Sequence, residues 1–400
     1  MYFEEASYND TIYQTAVFRE HLNMLMSVHP ELFPQTMLSQ GYDMHDIRYS
    51  KRQGLAYRRV RLRNECRSVL TIMPSFIMPY WVRRTQEAAK GLLMRYTGQS
   101  YERISETLGG SPTHWERMET HLGSYNLVAT SLFSAEDLPD HYVADEKITF
   151  FNGSEASVTM TAAQECVWGI SISLSEAQTG LQKAYGNFAT EARLLKPDFA
   201  PQSVVIDGWA ATRNAWQTLF PDITLILCFL HGVLKIGSCA KNLKEQWAEI
   251  RKMLWEAYKA TDAKEFITQI DEFKLKAHDM IKPLNKQRIL EAIDKIWAKK
   301  DQYAQYYEFT DAYRTSNQVD RPMNNLDKYL FNTQYFHGHL KNADLKLRAW
   351  ALIHNFKPFC KRAKNKHLSR YHQINKIIYH DFWLENLLIA GKKAVFRHST

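Results

Sequence analysis

Long apolar runs are missing from the 400 residues: none approaches the roughly 20 that a membrane helix needs. Cysteine is scarce as well. The five, Cys66, Cys166, Cys228, Cys239 and Cys360, are scattered with no Cys-x-x-Cys pair, which excludes a small disulfide-stapled scaffold and points to reduced thiols in a cytosolic compartment. The opening MYFEEASYNDTIYQ has neither a basic head nor an apolar stretch, so no signal peptide is expected. Internal repeats and low-complexity tracts are also absent. What is present is ordinary globular material, 45% hydrophobic and 24% charged, long enough for two or three cores. The net charge of +8 favours a polyanionic partner, above all nucleic acid.

That charge is concentrated early. Residues 1–87 form a basic region without evident strand alternation, and 48–67 carry eight Lys or Arg against one Glu, with two tyrosines interleaved. Arg58, Arg59, Arg61 and Arg63 in this run are candidates to follow a phosphate backbone, where each neutralised phosphate releases counterions. A solvated charged loop is the competing reading. Over 88–137 the caps Ser100 and Ser111, the break at Gly109 and Gly110, and Pro112 at a first helical position predict two short helices around a glycine turn. This is a helix-turn-helix pattern, with His114 and Arg117 on the second helix toward the major groove, although a small bundle with Trp115 in its core gives the same pattern.

After Leu138 and Pro139 the chain changes character. HYVADEKITFF, ASVTMTAA and CVWGISISL predict three antiparallel strands, and Leu181, Ala184, Tyr185 and Phe188 mark a helix. SVVID and TLILC flank the helix-like ATRNAWQTLF, a crossover that makes the two strands parallel neighbours. Antiparallel strands one to three, then helix, strand four, helix and strand five, is the connectivity of the ribonuclease-H-like fold, an α/β class with a mixed five-stranded sheet. Its first part spans 138–231. An all-helical insert follows over 232–310, then the last core helices over 311–357 and a basic tail over 358–400.

Three acids stand out: Asp145 in the first of these strands, Asp207 at the end of the fourth, and Asp320 at the start of the last helical block. The ribonuclease-H-like arrangement makes strands one and four adjacent and so brings Asp145 and Asp207 together. Paired carboxylates repel unless they share a cation, and hard oxygen donors suit Mg²⁺ or Mn²⁺. Two such ions about 3.5–4 Å apart serve phosphodiester cleavage and transfer. Against this, an Asp before Gly208 is also an ordinary turn former. Glu146 rivals Asp145, because neighbouring strand residues face opposite sides. Cys228 and His231 form Cys-x-x-His without a second pair at metal-ligand spacing, so a buried Cys and a His near the acids is the better reading than zinc. His337 and His339 read as loop residues near DNA.

DGWAATRNAWQTLFPDITLILCFLH, taken with the later TSNQVDRPMNNLDKYL, resembles bacterial insertion-sequence transposases of the Mutator-like, acid-triad superfamily, over roughly residues 140–356. The resemblance implies that Asp145, Asp207 and Asp320 are the metal-binding acids and that Cys228 and His231 are the family's Cys-x-x-His pair. It also implies that Asn317 and Arg321 flank the site. The third acid departs from the family's usual Glu, and Pro322 follows it closely; Glu308, Asp311 and Asp327 are its substitutes. The implied activity is Mg²⁺- or Mn²⁺-dependent strand cleavage and transfer on double-stranded DNA, by a homo-oligomer associated with the bacterial nucleoid in the cytoplasm. The alternatives are an inactive or domesticated DNA-binding protein of the same fold and a metal-dependent nuclease that does not join.

Overall fold

A computed structural model of the chain describes residues 1–79, 81–309 and 311–397. At the start, α1 (Glu5–Tyr13), α2 (Thr15–Val28) and α3 (Gln35–Gln40) accompany an antiparallel sheet of β1 (Tyr42–Ser50), β2 (Leu55–Leu62) and β3 (Val69–Ile72), in that order. The basic run is therefore strand and hairpin, which corrects the expectation that this region lacks strands. The alternation was hidden because an arginine occupies an inward position. Along β2, Val60 and Leu62 are buried with Arg58, while Arg59 and Arg61 are half-exposed. Phe18, Leu22, Val60 and Ile77 belong to a core confined to this N-terminal part.

Next come α4 (Thr85–Tyr96), α5 (Tyr101–Leu108), α6 (Pro112–Gly123) and α7 (Leu127–Ser131). The expected caps form: Ser100 accepts from Arg103 N–H and Ser111 from His114 N–H. Gly109 and Gly110 take φ of +72° and +82°, which only glycine adopts cheaply.

The larger sheet is built from β4 (His141–Phe151), β5 (Ser154–Ala163) and β6 (Cys166–Ser173), then α8 (Gln178–Leu195), β7 (Ser203–Ile206), α9 (Ala210–Leu219) and β8 (Thr224–Leu227). Its spatial order is β6-β5-β4-β7-β8. β4, β5 and β6 pair antiparallel, whereas β7 runs parallel to both β4 and β8. A mixed five-stranded sheet is thus present in the order that the strand pattern predicts.

Helices then take over, with α10 (Phe229–Cys239), α11 (Lys244–Tyr258), α12 (Ala263–Ile281), α13 (Gln287–Ala298) and α14 (Lys300–Ala304). They are followed by α15 (Asn317–Asn332), α16 (Leu340–Phe356), α17 (Arg370–Asn375) and α18 (Trp383–Arg397). Two cores sandwich the sheet. On one face, Val143, Met160, Val205 and Ile226 pack with Val319 and Leu326 of α15, Trp350 of α16, and also Trp115 of α6. On the other, Ala144, Val204 and Ile206 pack with α8, α9 and the inserted helices, including Phe266, Phe273 and Ile293.

Two expectations change as a result. The helix-turn-helix pair is not a free-standing module: Trp115, Met118 and Leu122 share the sheet's core, and a Cβ on Gly123 would lie 1.8 Å from the Leu345 carbonyl oxygen of α16. Nor is 358–400 simply a tail, because Trp383, Leu384, Leu387 and Leu388 of α18 are buried in that same core. Among the described residues, no helix is long and apolar enough to cross a membrane.

Candidate active site

The register of two parallel strands positions the first two acids. His141, Tyr142 and Val143 of β4 lie opposite Ser203, Val204 and Val205 of β7, so two residues further on Asp145 and Asp207 come side by side. Side chains alternate along a strand. Asp145 therefore shares the face of Val143, toward α15, as does Lys147, whose ammonium pairs with Asp327 of α15 at 2.9 Å. Glu146 takes the opposite face and accepts from Tyr185 of α8 at 2.7 Å and from Thr212 of α9 at 2.6 Å. The geometry thus distinguishes the two neighbours that the sequence left level.

Burial pushes the Asp145 carboxyl up to about 6, opposed by His231 and the Glu146 N–H and reinforced by Asp207 and Asp320. Asp207 itself is exposed just beyond β7, and its Oδ1 accepts from Trp209 N–H at 2.7 Å. It is a turn former and a neighbour of Asp145 at once, so the two readings of this residue are not exclusive. Gly208 follows at φ +90°, and a Cβ there would meet Leu227 at 2.9 Å.

Asp320 lies in the first turn of α15, which begins at Asn317 and runs on through Pro322. The Ser316 hydroxyl donates to Asp320 Oδ2 at 3.2 Å, and the Ser316 N–H donates to the Cys228 sulfur at the same distance. Cys228 is buried at the start of α10. Burial alone would raise its thiol, but His231 and Ser316 outweigh this and draw it below the ordinary value. The Cys228 sulfur, with further help from Asp145 and Asp207, lifts His231 to about 9 against the opposing effect of burial.

The substitutes for Asp320 lie elsewhere. Asp327 is held by Lys147, Asp311 acts on His141 at the opening of β4, and Glu308 lines a surface cavity among Thr261, Asp262 and Asp301. Asn317 and Arg321 are exposed on α15, with Arg321 paired to Glu165 at 3.0 Å. His337 and His339 are exposed in the loop between α15 and α16. Among the described residues, no group of three or more His, Cys, Asp or Glu side chains is close enough together to hold a metal ion.

The arginines chosen as phosphate contacts divide. Arg58 is a correction: it is buried, donates to Thr15 Oγ1 at 2.5 Å and lies over the Phe18 ring, so it faces core rather than solvent. Arg59 and Arg63 are bound to Asp46 and Asp43, leaving Arg61 half-exposed beside them. On α6, Arg117 is exposed, whereas His114 is wedged edge-on against Trp81 and Trp115, and burial lowers its pKa. Ser316 was not singled out in the sequence; the signal for it is its spacing of four from Asp320, which stacks the two on one helical turn. No family model matches the chain, and no curated protein matches it.

Proposed function

We propose that the chain is a DNA transposase of the acid-triad type, cutting and joining strands with Asp145, Asp207 and Asp320. The observation that carries this reading is the β4–β7 register, which sets two carboxylates side by side and turns Asp145 toward the helix of a third. The strand order and mixed polarity match the connectivity expected of a ribonuclease-H-like core, and this supports the same reading. Ligands in such sheets gather outside the carboxyl ends of parallel strands, where Asp207 stands.

The donor set suits a hard divalent cation, since it offers carboxylate oxygens and one of the acids is half-buried against its own charge. Asp145 and Asp207 would hold Mg²⁺ or Mn²⁺, with Asp320 beside them. Such an ion, when bound, supplies Lewis-acid activation of a water or 3′-hydroxyl and stabilises the leaving oxygen. The chain's own residues arrange the rest: Asp145 is sheltered under α15, exposed Asp207 meets the substrate side, and Arg61 and Arg117 offer cationic contacts for double-stranded DNA. Holding two DNA ends at once requires at least a dimer, and the place of action is the bacterial nucleoid. One observation favours the inactive DNA-binding reading instead, namely that the three acids do not close on a single point.

The test is cleavage and joining of DNA carrying the element's own terminal repeats, with Mg²⁺. Asp145→Asn and Asp207→Asn are expected to cut at least about 100-fold more slowly while still binding DNA. Asn variants that cut like wild type would overturn the triad. Binding without any cutting selects the inactive reading, and cutting without joining the nuclease. Asp320→Asn beside Glu308→Gln decides the third acid, because a loss confined to the latter removes Asp320.

A further inference from the structure

We propose that Cys228 and Ser316 are positioning residues that lock the third acid, Asp320, to the strand end that carries Asp207; this rests on the transposase reading. A continuous line of contacts joins the two acids. Asp207 follows Ile206, whose carbonyl accepts from Cys228 N–H at 2.8 Å. The Cys228 sulfur accepts from Ser316 N–H at 3.2 Å and donates to Ser316 Oγ at 3.5 Å. The Ser316 hydroxyl then reaches Asp320 Oδ2 at 3.2 Å. A second tie, from Phe229 N–H to the Arg314 carbonyl at 3.2 Å, runs beside the first.

Neither side chain is doing its usual local task. Cys228 and Ser316 occupy the N-cap positions of α10 and α15, yet neither caps its helix through its side chain. A Ser at this position normally accepts from the second or third N–H of its helix, worth about 1 kcal/mol. Here the hydroxyl is turned toward the carboxylate instead. Both residues are buried, at 1% and 3% exposure, so water does not compete for the contact between them. They are 88 residues apart, and the contact closes the core across the inserted helices. Its effect is to fix the approach of the α15 first turn to the end of β7, which is the distance any ion shared by Asp207 and Asp320 depends on.

The test uses the full chain as Cys228→Ala, Cys228→Ser, Ser316→Ala, Ser316→Thr and the double Ala variant, on terminal-repeat DNA with Mn²⁺. The Ala variants are expected to lose about tenfold or more in kcat, with KM and DNA affinity kept, since small misplacements at a reacting centre are costly. Ser and Thr, which keep a donor and acceptor, should restore most of the rate, and the double variant should be no worse than the weaker single. Additive losses, a loss in KM alone, or Ala variants that cut normally would each overturn the proposal. Mn²⁺ affinity, read from the free-ion spin-resonance signal, should weaken several-fold in the Ala variants and recover in Ser and Thr; unchanged affinity also overturns it. If wild type never cuts, the transposase reading falls and Mn²⁺ affinity alone judges the latch; if wild type also binds no Mn²⁺, both fall. Should Cys228→Ala fail to fold, Ser316→Ala decides, because it leaves the sulfur in place.

Discussion

His354 shows what this fold gives up when the solvent acidifies. Its ring is fully buried, stacked on Trp350, with Nδ1 3.0 Å from the Tyr96 hydroxyl. Burial, then the charges of Arg370 and Lys357, hold its pKa well below the ordinary value. The folded chain therefore keeps it neutral where the unfolded chain takes up a proton. Below about pH 6.5 the unfolded state binds more protons, so stability must fall as pH falls. Between about pH 6 and about pH 5, denaturant unfolding of wild type should lose roughly 1 kcal/mol more than that of His354→Gln. Equal slopes for the two proteins would show that the ring is not held neutral.

Among the elements, α16 acts as a cover for the edge of the large sheet. β6 is an edge strand, and such an edge exposes unpaired backbone groups. The Asn355 amide accepts from Val167 N–H at 3.0 Å and donates to the Val167 carbonyl at 2.8 Å, imitating a neighbouring strand. Near the other end of α16, Asp344 accepts from Ile172 N–H at 2.8 Å. Asn355→Leu leaves buried backbone groups unpaired and should cost about 2–4 kcal/mol, measurable by urea unfolding. None of this was legible beforehand, because which side chain meets a strand edge depends on tertiary packing. The strands of the large sheet were legible, since they are runs rich in β-branched and aromatic residues separated by turn-forming residues. The small sheet was not: Arg58 sits where an apolar residue marks an inward position, and only the Thr15 and Phe18 contacts make that placement tolerable. At the candidate site, Asp145 and Asp207 could be read from strand order, but the choice over Glu146 required knowing which helices lie on each face.

At the scale of the whole molecule, distant segments complete one another. α4, α5 and α6 are joined to α15 by Arg95, which pairs with Glu119 at 3.0 Å and reaches the Tyr329 hydroxyl at 3.4 Å. A buried charge network of this kind tolerates removal of one partner poorly. α18, which composition assigned to a basic tail, closes the same core. Leu387→Ala should lower global stability by about 2–5 kcal/mol in a single unfolding transition; a tail would give no change. The contact between Cys228 and Ser316 also bears on how the chain folds. Their separation in sequence makes this a long loop to close in an unfolded polymer, and long-range contacts of this type slow folding. A set of inserted helices that folds by itself first draws its two ends together, so the polymer then closes a short gap instead of a long one. Folding order in the insert would thereby govern how quickly the pieces of the site find one another.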